Sequence, residues 1–145
     1  MYYEIIRADG STKFYKIFTK MLDDFDRQDM LDLYRLIKER FETASLEGYD
    51  RLLWGDLITL FEPSEEDEIW KAQQDYTLIS WRLYDSCGVY VLLMDTGINI
   101  HMMVEKKYPL KQEMLSRMLS RRLDIDHECE MAYELLRFTR SQLKK

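Results

Sequence analysis

The chain contains few of the residues that break regular structure or cross-link small folds. Its 145 residues include only five glycines, two prolines and two cysteines. Two cysteines cannot build the disulfide framework of a small secreted domain, so we expect a reducing intracellular compartment, cytoplasmic or nuclear. With so little glycine and proline, and with 46% hydrophobic residues, an extended disordered tract is not expected.

Long hydrophobic runs are also missing. No apolar stretch approaches the roughly 20 residues that a membrane-spanning helix needs, so no membrane association is expected. The N-terminal segment MYYEIIRADG lacks the basic and then apolar layout of a signal peptide. A chain of this length without repeats or long linkers is expected to form one globular domain over residues 1–145.

Basic charge is scarce and unevenly distributed. The chain has 21 Lys and Arg against 27 Asp and Glu, a net charge of −6. Residues 1–75 have a balance of −8, whereas residues 101–145 have a balance of +3. This acidity argues against phosphate binding by the whole surface, although it permits a local basic patch. An acidic N-terminal half and a basic C-terminal segment are also compatible with head-to-tail self-association.

The most strand-prone part of the chain is Tyr76–Val104. Two turn sequences, DSCG at 85–88 and DTG at 95–97, divide it into three strands. The middle strand, Val89–Met94, is apolar on both faces, which predicts a central position covered on both sides. The three strands are expected to form an antiparallel meander.

Alternation and turn residues predict the other strand pairing. Asp9-Gly10 favours a hairpin between strands at Tyr2–Ala8 and Lys13–Phe18, because glycine tolerates a positive φ. We expect this hairpin to extend the same antiparallel sheet. In the first strand of the meander, period-two alternation predicts that Ile79 and Trp81 share one face.

Helical periodicity and capping residues predict five main helices. They span 26–41, 49–61, 65–74 and 109–123, with a last helix capped by Asp124 or Asp126. Asp26 can cap the first helix while Asp29 occupies its third position, and Pro109 fits the first turn of the fourth. The predicted fold is therefore α+β: an antiparallel sheet, made of the N-terminal hairpin plus a three-stranded meander, packed with about five α-helices.

The sequence Asp95-Thr96-Gly97 follows an apolar strand and resembles the active-site turn of retroviral-type aspartic proteases. Such enzymes pair this Asp with a second one from a dimer partner, and the two share a proton. A flap and a later apolar-glycine strand are not recognisable, and Ile98 replaces the small residue expected after the glycine. A hairpin turn is the favoured interpretation, and an aspartic protease-like site is a remote alternative.

Other polar groups have ordinary explanations. His127 and Cys129 lie two residues apart, so on a helix they point in different directions, and a zinc site is not expected. Cys87 lies in a turn, where exposure is expected, but neither His101 nor His127 is near it in sequence to act as its base. No phosphate loop, serine elbow or dinucleotide fingerprint occurs. We therefore predict no enzymatic activity, no metal, no cofactor and no small-molecule substrate.

A basic edge is the best candidate for nucleic-acid binding. It consists of Lys106, Lys107, Lys111, Arg117, Arg121 and Arg122, before and along the fourth predicted helix. Tyr108 can add base stacking, as aromatic side chains beside cations do in proteins that bind single strands. The alternative, favoured by the acidic total, is a solvated rim whose long side chains lie over apolar surface.

Five blocks of the chain carry a family resemblance: IIRADGSTKFYKIFTKMLDDFDRQDMLDLYRLIKERF, EGYDRLLWGDLITLFEP, ISWRLYDSCGVYVLLMD, IHMMVEKKYPLKQEMLSRML and ECEMAYELLRFTRSQL. In the same order, they resemble a segment of copia-type LTR-retrotransposon polyproteins of daisy-family plants. The resemblance covers essentially the whole chain. It implies an accessory domain of an element that assembles particles and handles RNA. The segment lacks the motifs of the polymerase, ribonuclease H and integrase modules, so the resemblance assigns no functional residue.

Two functions follow as expectations. The first is a non-enzymatic module for self-association or for binding another protein. It is motivated by the absence of a complete catalytic constellation, by the charge asymmetry and by the richness in aromatic and methionine residues, any of which beyond those in the core would form a partner surface. The second is RNA or DNA binding through the edge Lys106–Arg122.

Overall fold

The computed structural model describes residues 3–6, 10, 12–15, 18–43 and 48–144. None of the helices in these ranges is long and apolar enough to cross a membrane. The elements along the chain are β1 (Tyr3–Ile6), β2 (Thr12–Tyr15), α1 (Phe18–Met21), α2 (Arg27–Thr43), α3 (Gly48–Phe61), α4 (Glu68–Lys71), a 3-10 turn (Gln73–Asp75), β3 (Leu78–Tyr84), β4 (Val89–Met94), β5 (Asn99–Met103), α5 (Gln112–Ser120), β6 (Leu123–Asp124) and α6 (Glu130–Ser141).

The main sheet has four strands in the order β5-β4-β3-β6. The expected meander is confirmed, because β3 pairs antiparallel with β4, and β4 pairs antiparallel with β5. The fourth strand was not anticipated: β6 lies parallel to β3, with Trp81 opposite Leu123 and Arg82 opposite Asp124. The α+β class is therefore confirmed, with a mixed sheet in place of a purely antiparallel one.

The N-terminal hairpin does not extend this sheet, contrary to expectation. β1 and β2 pair with each other as a separate two-stranded sheet, and Gly10 between them has the positive φ of +88° expected of a hairpin turn. At the edge beside β3 the position is taken by β6. The predicted turn residue Asp9 and the predicted strand ends at Tyr2 and Ala8 lie outside the described residues.

The central strand β4 is buried on both faces, as its sequence predicts. Val89 and Val91 contact a cluster formed with residues of α1, α2 and α3, whereas Tyr90 and Leu92 contact a second cluster with residues of α4, α5 and α6. We call these the upper and the lower layer. Because successive side chains of a strand point to opposite faces, one apolar strand serves both layers. Each large side chain buried in this way contributes about 1.5–3 kcal/mol.

A bulge in β3 corrects the predicted face of Ile79. Leu78 pairs with Met94 and Ser80 pairs with Leu93, so one extra residue lies in β3 between these two pairs. An extra residue reverses the alternation beyond it. Leu78 is therefore buried with Trp81 in the lower layer, and Ile79 is 48% exposed.

The predicted start of α2 is confirmed by its capping contacts. The Asp26 carboxylate accepts a hydrogen bond from the backbone N–H of Asp29 at 2.8 Å. The Asp29 carboxylate in turn accepts from the backbone N–H of Asp26 at 3.0 Å. This reciprocal arrangement satisfies two backbone donors at the helix start.

Three other predicted helices are shorter than expected. The predicted helix 109–123 is reduced to α5, so Pro109 precedes the helix and Leu123 belongs to β6. The predicted helix 65–74 contains only α4 and the 3-10 turn, since the Asp67 carboxylate accepts from the backbone N–H of Ser64 at 2.9 Å and holds that segment in a turn. The last helix begins at Glu130, with Cys129 as its N-cap, and not at Asp124 or Asp126. Those two aspartates instead form ion pairs with Arg82, which fixes β6 beside β3.

Arg27 connects α2 to the β3–β4 turn. Its guanidinium lies 2.6 Å from Glu105 and 3.5 Å from the Gly88 carbonyl oxygen. Gly88 has a φ of +71°, and a Cβ added there would lie 2.4 Å from Arg27 Nη2. Gly97, in the β4–β5 turn, has a similar φ of +83° but no atom within 4 Å of an added Cβ.

The two glycines allow a matched test of this contact. Gly97→Ala incurs only backbone strain, about 1 kcal/mol of unfolding free energy. Gly88→Ala incurs the same strain and also displaces Arg27, for a further ~0.5–1 kcal/mol. Urea unfolding measures both. In an Arg27→Ala background the two glycine substitutions should cost the same, and an extra cost of Gly88→Ala that survives there would contradict the assignment.

Candidate functional site

The structure separates the predicted basic edge into two parts. Lys111 and Arg117 line one groove between the 3-10 turn and α5, with a volume of about 480 Å³. Gln73, Gln74, Glu113 and Met114 also line it. Lys106, Lys107, Arg121 and Arg122 do not line it, and the last three of these are exposed.

A buried amide holds this groove together. The Gln73 side chain is 2% exposed. Its Nε2 donates to the carbonyl oxygens of Trp70 and Pro109, both at 2.8 Å, and its Oε1 accepts from the backbone N–H of Lys111 at 2.8 Å. With these three bonds the amide links the floor of the groove to the start of α5 and fixes the backbone that carries Lys111.

Among the described residues, the two groove cations have only neutral partners. Lys111 Nζ donates to Gln74 Oε1 at 2.6 Å, and Arg117 Nη1 donates to the Tyr76 carbonyl oxygen at 3.2 Å. Within the described ranges, none of the six basic-edge side chains forms an ion pair with a carboxylate. The groove therefore keeps its positive charge.

Tyr108 is not available for base stacking, which corrects the expectation. It is 3% exposed. Its hydroxyl donates to the Leu60 carbonyl oxygen at 2.5 Å and accepts from the backbone N–H of Met103 at 2.9 Å. Burial raises the pKa of this hydroxyl. The side chain joins α3 to β5 and belongs to the core.

Asp95-Thr96-Gly97 forms the tight turn between β4 and β5. The Asp95 carboxylate accepts from the backbone N–H of Thr77 at 3.2 Å, and the Asp95 N–H donates to the Thr77 carbonyl oxygen at 2.9 Å. Gly97 takes the positive φ that the turn requires. All three residues are exposed, and the aspartate carboxylate caps the neighbouring strand.

The residues near His127 have separate partners. His127 Nε2 lies 3.2 Å from Asp85, and Asp126 pairs with Arg82. Cys129 is half-buried against the lower layer. Among the described residues, no group of three or more His, Cys, Asp or Glu side chains comes together in a way that could hold a metal ion.

Cys87 is buried, contrary to the exposure expected of a turn residue. Its side chain is 0% exposed, and its thiol lies 3.7 Å from the Leu22 carbonyl oxygen. Burial raises the pKa of the thiol to about 11. At neutral pH the sulfur is therefore protonated and a poor nucleophile.

An acidic cleft between α3, α4 and β5 was not predicted. It has a volume of about 310 Å³ and is lined by Gly55, Asp56, Ile58, Thr59, Asp67, Glu68, Ile69, Asn99, Ile100 and His101. Three carboxylates and one buried histidine thus converge from segments far apart in the chain. No local sequence pattern marks this convergence, because each residue is ordinary within its own element.

Burial has opposite effects on the pKa values of Asp56 and His101, which both line this cleft. It raises the pKa of Asp56 from 3.8 to about 6, and it lowers the pKa of His101 from 6.5 to about 3. Asn99 donates to Thr19 Oγ1 at 3.4 Å, which leaves the threonine hydroxyl to donate to His101 Nε2 at 2.8 Å. This arrangement suits a neutral imidazole with its proton on Nδ1.

A ladder of four aromatic rings on α2 and α3 was also missed. Phe61 stacks on Tyr34 with ring centroids 4.2 Å apart, Tyr34 lies 6.1 Å from Trp54, and Trp54 lies 4.8 Å from Phe41. Their planes are within 17° of parallel. The inner ring, Phe61, is buried, and the outer ring, Phe41, is 53% exposed. By its spacing from Leu33 and Ile37, Phe41 lies on the apolar face of α2, so the sequence does not predict its exposure.

Comparison with protein-family models, with curated proteins and with solved structures finds no match to this chain.

Because the pKa of Asp56 is raised, we expect substitution of Asp56 to change the unfolding free energy by an amount that depends on pH. Between pH 3.8 and about 6 the unfolded chain releases this proton while the folded protein keeps it. The penalty for burying the carboxylate is therefore absent at low pH and fully present above about 6. Asp56→Asn should raise the unfolding free energy above pH 7 by about 1–2 kcal/mol, with little effect near pH 4.

Denaturant unfolding across this pH range measures the difference between variant and parent, so the titration of His101 cancels. Glu68→Gln is the control, because it removes an exposed carboxylate from the same cleft. A stabilisation by Asp56→Asn that is equal at both ends of the range would contradict the assignment.

Proposed function

We propose that this chain is a non-enzymatic self-association module of a retrotransposon-type polyprotein. The resemblance of its sequence blocks to such polyproteins supports the setting. The exposed outer ring of the aromatic ladder, Phe41, is the observation that supports the activity.

Phe41 continues the buried stripe of α2 beyond the core. Met30, Leu33 and Ile37 on this stripe are at most 6% exposed, whereas Phe41 is 53% exposed. Its ring is held by stacking on Trp54, so little side-chain freedom remains to be lost on binding. Burying the rest of the ring contributes about 1–2 kcal/mol per copy. Rigid, exposed aromatic side chains are frequent energetic centres of protein interfaces.

A second copy of this chain suits the surface. In a twofold contact the same patch meets itself, so the Phe41 rings of two copies can stack on each other. Charges of both signs surround the ladder: Lys38 lies 5.6 Å from the centroid of the Tyr34 ring and 3.7 Å from Glu62. Mixed charges allow such a patch to face its own copy without net repulsion.

Substitution at Phe41 tests this proposal. Sedimentation velocity over a range of protein concentrations should detect a dimer, and Phe41→Gln should raise its dissociation constant about tenfold or more. Leu36→Gln is the matched control. Leu36 is on the same helix and 55% exposed, but it points about 140° away from Phe41, so dimerisation should persist. A strict monomer, or equal losses in the two variants, would contradict the proposal.

A further inference from the structure

We infer that the groove between the 3-10 turn and α5 binds the phosphodiester backbone of a nucleic-acid strand, with Lys111 and Arg117 as the contacting cations. This activity goes beyond self-association and uses a different surface. The aromatic ladder lies in the upper layer, whereas α5 belongs to the lower layer.

The charge state of the groove is the first support. Lys111 and Arg117 donate to a neutral amide and a neutral carbonyl, and neither forms an ion pair with a carboxylate of the described residues. By contrast, Arg27, Arg82 and Arg137 are each paired with a carboxylate. A phosphate entering the groove therefore does not have to displace an acidic side chain, and its attraction is not offset by a lost ion pair.

The positioning of the two cations is the second support. The three bonds of the buried Gln73 amide fix the backbone at Lys111, and the bonds to Gln74 and the Tyr76 carbonyl orient the two cationic side chains. Side chains that are already ordered lose less conformational entropy when a ligand binds. The cationic side chains of the groove are thus preorganised for binding an anion.

The distribution of the remaining cations indicates a strand in preference to a single phosphate. Lys107 is exposed in the segment before α5, and Arg121 and Arg122 are exposed directly after it. A helix of nine residues is about 14 Å long. Cations at both of its ends and in the groove can meet successive phosphates of an extended strand.

The groove lining indicates recognition of the strand backbone and not of the base sequence. Tyr108 is buried, so its ring cannot stack on a base. The lining residues that the structure describes supply two cations, two amides, one carboxylate and one methionine. Such a set contacts backbone phosphates and does not read base edges, so binding should depend little on sequence and strongly on salt.

Fluorescence anisotropy with short labelled oligonucleotides of mixed sequence tests this inference. Single-stranded RNA, single-stranded DNA and duplex are compared over a range of salt concentrations, using the full chain. We expect both single strands to bind the parent protein. In Lys111→Glu/Arg117→Glu we expect affinity to fall at least ~10-fold and the salt slope to become shallower by about 1.4, because two phosphate contacts are lost.

The double variant Arg35→Glu/Arg137→Glu is the matched control, since it changes the net charge by the same amount at two exposed arginines on α2 and α6, away from the groove. It should weaken binding much less. Glu113→Gln removes a carboxylate from the groove lining and should tighten binding a few-fold, a gain that misfolding cannot produce. Each of these variants should be checked for a parental circular dichroism spectrum.

Three results would overturn the inference. They are no binding by the parent protein at low salt, equal weakening in the two double variants, and binding of an acidic peptide as tight as that of the oligonucleotides. Repeating the titration with Phe41→Gln separates this site from the proposed self-association. Strand binding that persists in a monomeric Phe41→Gln protein supports the groove as an independent site, whereas loss of binding there would count against it.

Discussion

Burial of β4 on both faces is the constraint on which the rest of this structure depends. A strand with no polar face requires apolar cover on each side, so the helices divide into an upper layer over Val89 and Val91 and a lower layer under Tyr90 and Leu92. The neighbouring strands β3 and β5 satisfy its backbone groups. Between the layers and at the edges of the sheet, where apolar contact ends, a few polar side chains connect neighbouring elements. Each of these side chains has a structural role.

Three polar contacts illustrate these connections. Gln73 joins the 3-10 turn to the start of α5, Arg82 holds β6 through two aspartates, and His101 is bonded to Thr19 of α1. A buried polar group must be hydrogen-bonded to be tolerated, and these bonds are directional, so they also fix where neighbouring side chains lie. The Gln73 amide fixes the backbone at Lys111 in the groove, and His101 lines the cleft that also contains Asp56.

The two proposed activities occupy opposite layers. The aromatic ladder ends at Phe41 on the outside of α2, and the basic groove lies beside α5 on the other side of the sheet. A self-associating copy therefore leaves its groove accessible, and several grooves brought together by association would bind one strand with increased avidity. This combination suits a module of a particle-forming, RNA-handling element, the setting that the sequence resemblance suggests.

The sequence by itself determined the features that depend on neighbouring residues. The bounds of β4, the reciprocal capping of Asp26 and Asp29, and the turn at Gly97 follow from local periodicity and backbone preferences. The tertiary structure alone decided the pairing of β6 with β3, the burial of Tyr108 and the convergence on the Asp56 cleft. In each of these cases at least one partner lies tens of residues away in the chain. Local sequence patterns predict which face of an element is apolar. The partner of a polar side chain depends on which distant residues the packing of the two layers places next to it.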